Sequence, residues 1–360
     1  MKPDIDVRER LERAAESIGI DTQRRLHAAH GAAEGRGRRR RVQALAVAAV
    51  VGLLAVMAAW QLRFAEDHAP LPSSAAGPGG TIAYLSTDGR TTDLHQIDVT
   101  TGRGSSVIEE KGAVIWGAWS LDGSRIASIL EGPGPTSRIV VTAPDGSDPM
   151  TVVETQNTGA VGPDLLNLSW SPDGTRIAYS GRTMERGVAR RTVIIVKADG
   201  SGSPTVLDGL WVWVSWSPDG RRLLMAGFPD IDAKAPRFDL FTARPDGTGL
   251  MRLTDDEAEE HSPSWSPDGR RIVFSEGNDE SQSVYVMDAD GSDVQRLTEH
   301  AGFDVLPVWS PDGTWIAFAR DQGASPAAGA SIFIMRSDGS HVRLLMRAGT
   351  DSGYPTSWTR

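Results

Sequence analysis

The chain has 360 residues and a net charge of -10, and it contains no cysteine. Without cysteine there is no disulfide framework, thiolate metal site, cysteine nucleophile or cysteine-linked lipid. Residues 1–41 hold eleven Lys and Arg against seven Asp and Glu, the remainder 26 against 40. The larger part is therefore acidic and lacks the basic face that nucleic-acid binding needs.

Taken in chain order, the first element is a short amphipathic stretch. Val7, Leu11, Ala14, Ala15 and Ile18 recur at helical spacing until Gly19. Residues 1–41 are expected to be a partly helical cytoplasmic stub, able to dock on a cytoplasmic partner by laying an apolar face in a groove. The stub loosely resembles the inner tails of membrane-bound regulators such as anti-sigma factors, which implies a receptor signalling through residues 1–41.

From Val42 to Trp60 the chain carries no charge and one polar side chain, Gln43. As a helix this stretch spans about 28 Å, close to the hydrocarbon thickness of a bilayer. A single-pass transmembrane helix is expected over residues 42–62. Arg36 and Arg38 to Arg41 precede it, which keeps the N-terminus cytoplasmic and the rest extracytoplasmic, in the cell envelope. A cleavable signal peptide has a shorter leader and a shorter apolar core, so the helix is read as an anchor. Residues 63–80, rich in Ala, Pro, Gly and Ser, read as a flexible tether.

Beyond the tether the sequence repeats. Trp119-Ser-Leu-Asp-Gly123 is followed by four copies of Trp-Ser-Pro-Asp-Gly, beginning at Trp170, Trp216, Trp265 and Trp309, and by a truncated copy at Trp358. A second series of Asp-Gly turns interleaves with it, at Pro144–Gly146, Ala198–Gly200, Pro245–Gly247, Ala289–Gly291 and Ser337–Gly339. Each unit reads as four short strands bounded by turn residues. Ser-Pro-Asp-Gly suits a tight turn: Pro presets φ, Ser and Asp bond nearby amides, and Gly accepts the left-handed conformation. The recurring Trp is expected in the apolar layer between neighbouring units.

A period in the forties with four strands per repeat means a propeller blade. These motifs resemble the TolB-type, WD40-like (PD40) propeller repeat, and the resemblance covers residues 81–360. It implies an all-β fold, a β-propeller, which the two ends of the repeat region make six-bladed. At the N-terminal end, residues 81–86, 94–99 and 105–110 supply strands two to four of a blade. Residues 354–359 supply a first strand. Joining the two ends completes a sixth blade and closes the ring through the C-terminal strand.

The expected function is that of a membrane-tethered binding scaffold for a protein, peptide or envelope component, which is also what the family resemblance implies. The short repeated turns fall on one face and the variable loops (131–137, 154–164, 181–191, 227–237, 254–262, 320–330) on the other. Binding is expected on the loop face. There Asp164, Glu259, Glu260, His261, Asp304 and Asp351 precede the inner strands and would give the channel an acidic mouth suited to a basic partner. His261 and His300, with neighbouring carboxylates, are the candidate ligands for a divalent cation; a metal-dependent polysaccharide lyase is the enzymatic alternative. Otherwise no cofactor is expected. No Gly-x-Ser-x-Gly elbow, phosphate-binding glycine loop or His-Glu-x-x-His motif occurs.

Overall fold

A computed structural model describes residues 78–359, apart from the segments 88–91, 109–112, 133–135, 157–164, 186–187, 230–236, 279, 322–328 and 348–351. The expected stub, transmembrane helix and most of the tether lie outside the described residues. Among the described residues every regular element is a β-strand, and there is no helix long and apolar enough to cross a membrane.

Strands β1 (Thr81–Thr87), β2 (Thr92–Asp98) and β3 (Gly104–Ile108) pair in antiparallel sequence. So do β4 (Ala113–Trp119), β5 (Ile126–Glu131), β6 (Thr136–Thr142) and β7 (Met150–Gln156). The single parallel pair Thr92–Ala113 links these two sets into one sheet. Four separate four-stranded sheets follow. The first comprises β8 (Leu165–Trp170), β9 (Arg176–Glu185), β10 (Val188–Lys197) and β11 (Thr205–Leu207). The second comprises β12 (Leu210–Trp216), β13 (Leu223–Phe228), β14 (Asp239–Ala243) and β15 (Met251–Arg252). The third holds β16 (Glu259–Trp265), β17 (Arg271–Gly277), β18 (Gln282–Asp288) and β19 (Gln295–Arg296). The fourth holds β20 (Asp304–Trp309), β21 (Trp315–Asp321), β22 (Ala330–Arg336) and β23 (Arg343–Met346).

The last strand, β24 (Ser352–Thr359), returns to the beginning and pairs antiparallel with β1, Thr359 opposite Thr81 and Tyr354 opposite Leu85. Strands β4, β8, β12, β16, β20 and β24 touch one another in a closed circuit. They are the inner strands and surround a central axis. This is a β-propeller, all-β throughout its described residues.

The motif turns explain why the strands stop where they do. In the third repeat copy Ser217 hydroxyl donates to Asp219 Oδ1 at 2.6 Å, while the Gly220 amide bonds the Ser217 carbonyl at 2.9 Å. The glycine sits at φ +69°, in the left-handed region, where a side chain would be strained. The same Ser-to-Asp bond recurs at Ser120, Ser171, Ser266 and Ser310.

The motif tryptophans are buried between sheets, and a residue the motif does not include holds them. Arg125, Arg176, Arg222 and Arg271, each six residues after its own Trp, lie over Trp170, Trp216, Trp265 and Trp309 of the next sheet, 4.6–5.0 Å from the ring centroids. Each guanidinium thus clamps one sheet to its successor through a cation–π contact. After Trp309 the equivalent residue is Trp315, which packs in one cluster with Trp358. Trp358 donates from Nε1 to the Gly79 carbonyl at 3.1 Å, tying the two ends of the domain together.

Segment 181–191 differs from its expectation as a loop. Strands β9 and β10 pair as far as Glu185 and Val188, because Thr183, Val188, Thr192 and Val193 favour strand and no proline interrupts them.

Candidate binding site in the central channel

Each of the six inner strands carries a register irregularity, two to four residues before its motif Trp. On β4 it falls between Val114 and Trp116, on β12 between Trp211 and Trp213, on β16 between His261 and Ser264. The others lie on β8, β20 and where β24 meets β1. Bulges re-aim side chains and cluster beside functional sites. Two non-glycine residues within these bulges, Ser262 and Leu306, adopt φ of +52° and +55°, each followed by a proline. Such conformations cost on the order of 1–3 kcal/mol unless the surroundings impose them.

These bulges line a cavity of about 670 Å³ along the axis, within the range of ordinary ligand sites. At its inner level stand Trp116, Asn167, Trp213, Ser262 and Leu306. The indoles of Trp116 and Trp213 come from strands on either side of β8 and meet edge to face, centroids 5.3 Å apart. At the other end the lining reaches the motif turns through Leu121, Asp122, Pro172, Pro218, Pro267 and Pro311. Leu121, which stands where the other copies have Pro, is 67% exposed.

The main-chain donors of the wall are engaged, whereas the indole N–H groups of Trp116, Trp119, Trp216 and Trp265, all in the lining, have no partner. The amides of Trp119 and Trp216 donate to the hydroxyls of Ser357 and Ser169, and Val214 donates to Asn167 Oδ1. Among the described residues Asp122 is the one charged residue lining the cavity. Its carboxylate is held at about 2 by the hydroxyl of Ser120 and by Ser124, so it is committed to the turn. A wall of indole and prolyl surface with scattered hydroxyls suits an extended peptide or an apolar side chain rather than a polyanion.

The acids expected at a loop-face mouth are placed differently. Glu260 and Asp304 are each 0% exposed, because they belong to β16 and β20 and not to the loops before them. Burial pushes the Glu260 carboxyl up to about 9, so it carries a proton at neutral pH in the absence of a cation. Asp304 is matched by Arg320, which makes two bonds of 2.7 Å to it. Neither therefore presents free negative charge, which corrects the expectation of an acidic mouth at those two positions. Glu259 is partly buried. Asp164 and Asp351 lie outside the described residues.

His261 is buried against Phe238, ring centroids 5.7 Å apart, and desolvation lowers it to about 4, so it is neutral. Its Nε2 stands 3.9 Å from Glu259 Oε2. His300 is partly exposed, its Nδ1 3.9 Å from Asp304 Oδ1. Among the described residues the group that gathers three metal-capable side chains is Asp256, Glu260 and Glu276, and it includes neither histidine. The tryptophan pair lining the channel was not foreseen from the sequence. Its signal was there: Trp116 and Trp213 both stand three residues before a motif Trp.

The sequence pattern of the PD40 family, described as the TolB beta propeller domain, matches residues 175–358. Among solved structures, TolB from Acinetobacter baumannii is similar at a TM-score of 0.64 and 16% identity, over 78% of this chain and 66% of that one. A structure from Agrobacterium tumefaciens assigned to TolB gives 0.57 and 22%, over 79% and 100%. A chain of a nidogen–laminin complex gives 0.57 and 12%, over 78% and 98%. These likenesses show the fold. No curated protein matches.

Proposed function

This chain belongs to the TolB β-propeller domain family, and from that premise we propose that it is a membrane-tethered, extracytoplasmic scaffold binding a protein or peptide in its central channel. We count six blades: the pair Thr92–Ala113 is then a contact between the first two, and β24 is the inner strand of the blade that holds β1, β2 and β3. The observation that carries the reading is the aromatic and prolyl cavity on the axis, ringed by a bulge in every inner strand and by two left-handed non-glycine residues. The partner enters at the turn face, where Leu121 is exposed, rather than at the loop face. Anchor and topology follow from the Arg cluster before Val42.

Photo-crosslinking in the native membrane tests this. A photoreactive residue at Leu121 should capture a partner, and one at Ser281, in the loop between β17 and β18, should not. Capture only from Ser281 would refute the channel reading. Independently, protease added to cells stripped of their outer layers should digest the propeller and spare residues 1–41; a protected propeller would refute the topology.

A further inference from the structure

Five residues before the motif Trp, strands β4, β8 and β12 bury Val114, Leu165 and Trp211, each 1% exposed. Glu260 and Asp304 occupy that same apolar position in β16 and β20. In β20 the charge is answered across the strand pair. Asp304 lies opposite Arg320 in register, and the guanidinium grips both carboxylate oxygens. In β16 the register partner of Glu260 is Glu276. Glu276 is the counterpart of Arg320, each standing eleven residues after the motif Trp of its sheet. An acid therefore faces an acid where the next sheet has an acid facing a base.

A third carboxylate, the exposed Asp256, joins them, and ligand oxygens of Asp256, Glu260 and Glu276 lie within 4.8 Å of one another. Glu260 Oε2 accepts the Thr254 hydroxyl at 3.0 Å, while its Oε1, fully buried, has no partner. Glu276 has a hydrogen bond with Tyr285 and feels the Arg296 charge, but the nearby guanidinium groups make their own bonds to other partners. Arg252 pairs with Asp239 and Asp255, Arg237 donates to the Asp256 carbonyl, and Arg296 donates to the Thr298 carbonyl and the Ser283 hydroxyl. Like charges directly opposite in an antiparallel pair are destabilising. An unpaired buried carboxylate is costly as well.

We propose that Asp256, Glu260 and Glu276 form a site for a hard divalent cation of the calcium class, which does in this sheet what the Arg320 guanidinium does in the next. Calcium takes oxygen ligands at about 2.3–2.6 Å, so opposite oxygens on its sphere are about 4.6–5.2 Å apart. Three carboxylate oxygens within 4.8 Å fit that sphere. The exposed side of Asp256 leaves room for water on the remaining positions. Magnesium demands a strict octahedron at about 2.0–2.1 Å and gives up its waters reluctantly, so it is less suited to three carboxylates of which two are largely buried. None of the three lines the channel cavity, so the site stands apart from the binding reading above.

The experiment is thermal unfolding of the full chain, stripped with chelator and then titrated with calcium chloride at neutral pH. Wild type should gain stability with calcium, and less with magnesium at equal concentration. Glu260→Gln, which keeps shape and can still take the Thr254 bond, should lose the response. The exposed Asp256→Asn, which disturbs no core packing, should shift half-saturation to higher calcium. Glu276→Arg should transplant the arrangement of the neighbouring sheet: unfolding in chelator should move to higher temperature and the calcium response should vanish. A wild-type chain indifferent to calcium would mean that Glu260 and Glu276 share a proton instead, and the proposal would fall. It would fall equally if Glu276→Arg kept the full calcium response.

Discussion

The Arg176 guanidinium lies 4.6 Å above the Trp216 ring, although Arg176 opens β9 and Trp216 closes an inner strand of the next sheet. Neighbouring sheets share no continuous ladder there, so this contact, the packing beneath it and single bonds such as those of the Trp216 and Val214 amides to Ser169 and Asn167 hold them together. Replacing Trp216, 5% exposed, by Ala should cost about 3–5 kcal/mol. Arg176→Ala should cost about 1 kcal/mol. Urea unfolding measures both. If Arg176→Ala costs as much as Trp216→Ala, the arginine does more than cover the ring.

Closure at β24 should matter more than any single contact between sheets. Residues 352–359 supply the whole partner of β1 on the edge away from β2. Without them β1 becomes a bare edge open to other chains. A chain ending at Asp351 should aggregate or unfold at much lower temperature, visible in light scattering and circular dichroism. Trp358→Ala removes the bond to Gly79 and buried ring volume and should cost about 3–5 kcal/mol. A truncated chain as stable and monodisperse as the full one would show that β24 is dispensable.

Asp304 is fully buried and its partner Arg320 largely so, at 17% exposure, so removing the acid leaves a guanidinium with little access to water. Asp304→Asn should destabilise by about 3–5 kcal/mol. Equilibrium unfolding should show this loss, whereas any partner captured at Leu121 should still bind once the variant has folded.

The motif turns should give the domain a definite acid limit. Asp173 is lowered from 3.8 to about 2 by the Ser171 hydroxyl and by Thr175, and Asp122 is lowered similarly. A depressed carboxylate contributes stability above its unfolded value and loses it as pH falls through the folded one. That contribution should fade between about pH 4 and pH 2. Asp173→Asn should therefore be less stable than wild type at pH 7, with the gap closing in that window. A gap that persists unchanged at pH 2 would point to lost hydrogen-bond geometry instead of charge.

Glu260 should act in the opposite sense. Its folded value of about 9 lies above the ordinary 4.5, chiefly through burial, with Asp256, Asp239 and Glu276 adding repulsion. A raised carboxylate stabilises the fold below its unfolded value and loses that contribution as pH rises through the folded one. In chelator, Glu260→Gln should gain on wild type between pH 5 and pH 8. Melting temperatures across that range check the sign; a constant difference would show that Glu260 does not hold a proton.

Much of the architecture was readable because the repeat is local chemistry. Ser-Pro-Asp-Gly makes a tight turn from its own atoms, so five turns, their strands and the complementary ends could be placed without knowing the fold. The interleaved Asp-Gly pairs likewise form hairpin turns, as at Asp290, which bonds the Ser292 amide and hydroxyl. The loop segments were less legible. Strands β16 and β20 begin at Glu259 and Asp304, where charged residues argue for loop and only the neighbouring sheet argues for strand.

The sequence by itself determined the repeat unit, its turns, the position of each motif Trp and the need for the two ends of the domain to pair. These depend on residues a few positions apart. Tertiary structure alone decided which charges are charges. Glu260 and Asp304 hold one repeat position, yet only one has a base opposite, and that follows from register between strands. It also decided that Trp116 and Trp213, nearly a hundred residues apart, meet beside one cavity. Burial and cross-strand pairing are set by closing the ring, and no local pattern of residues carries that information.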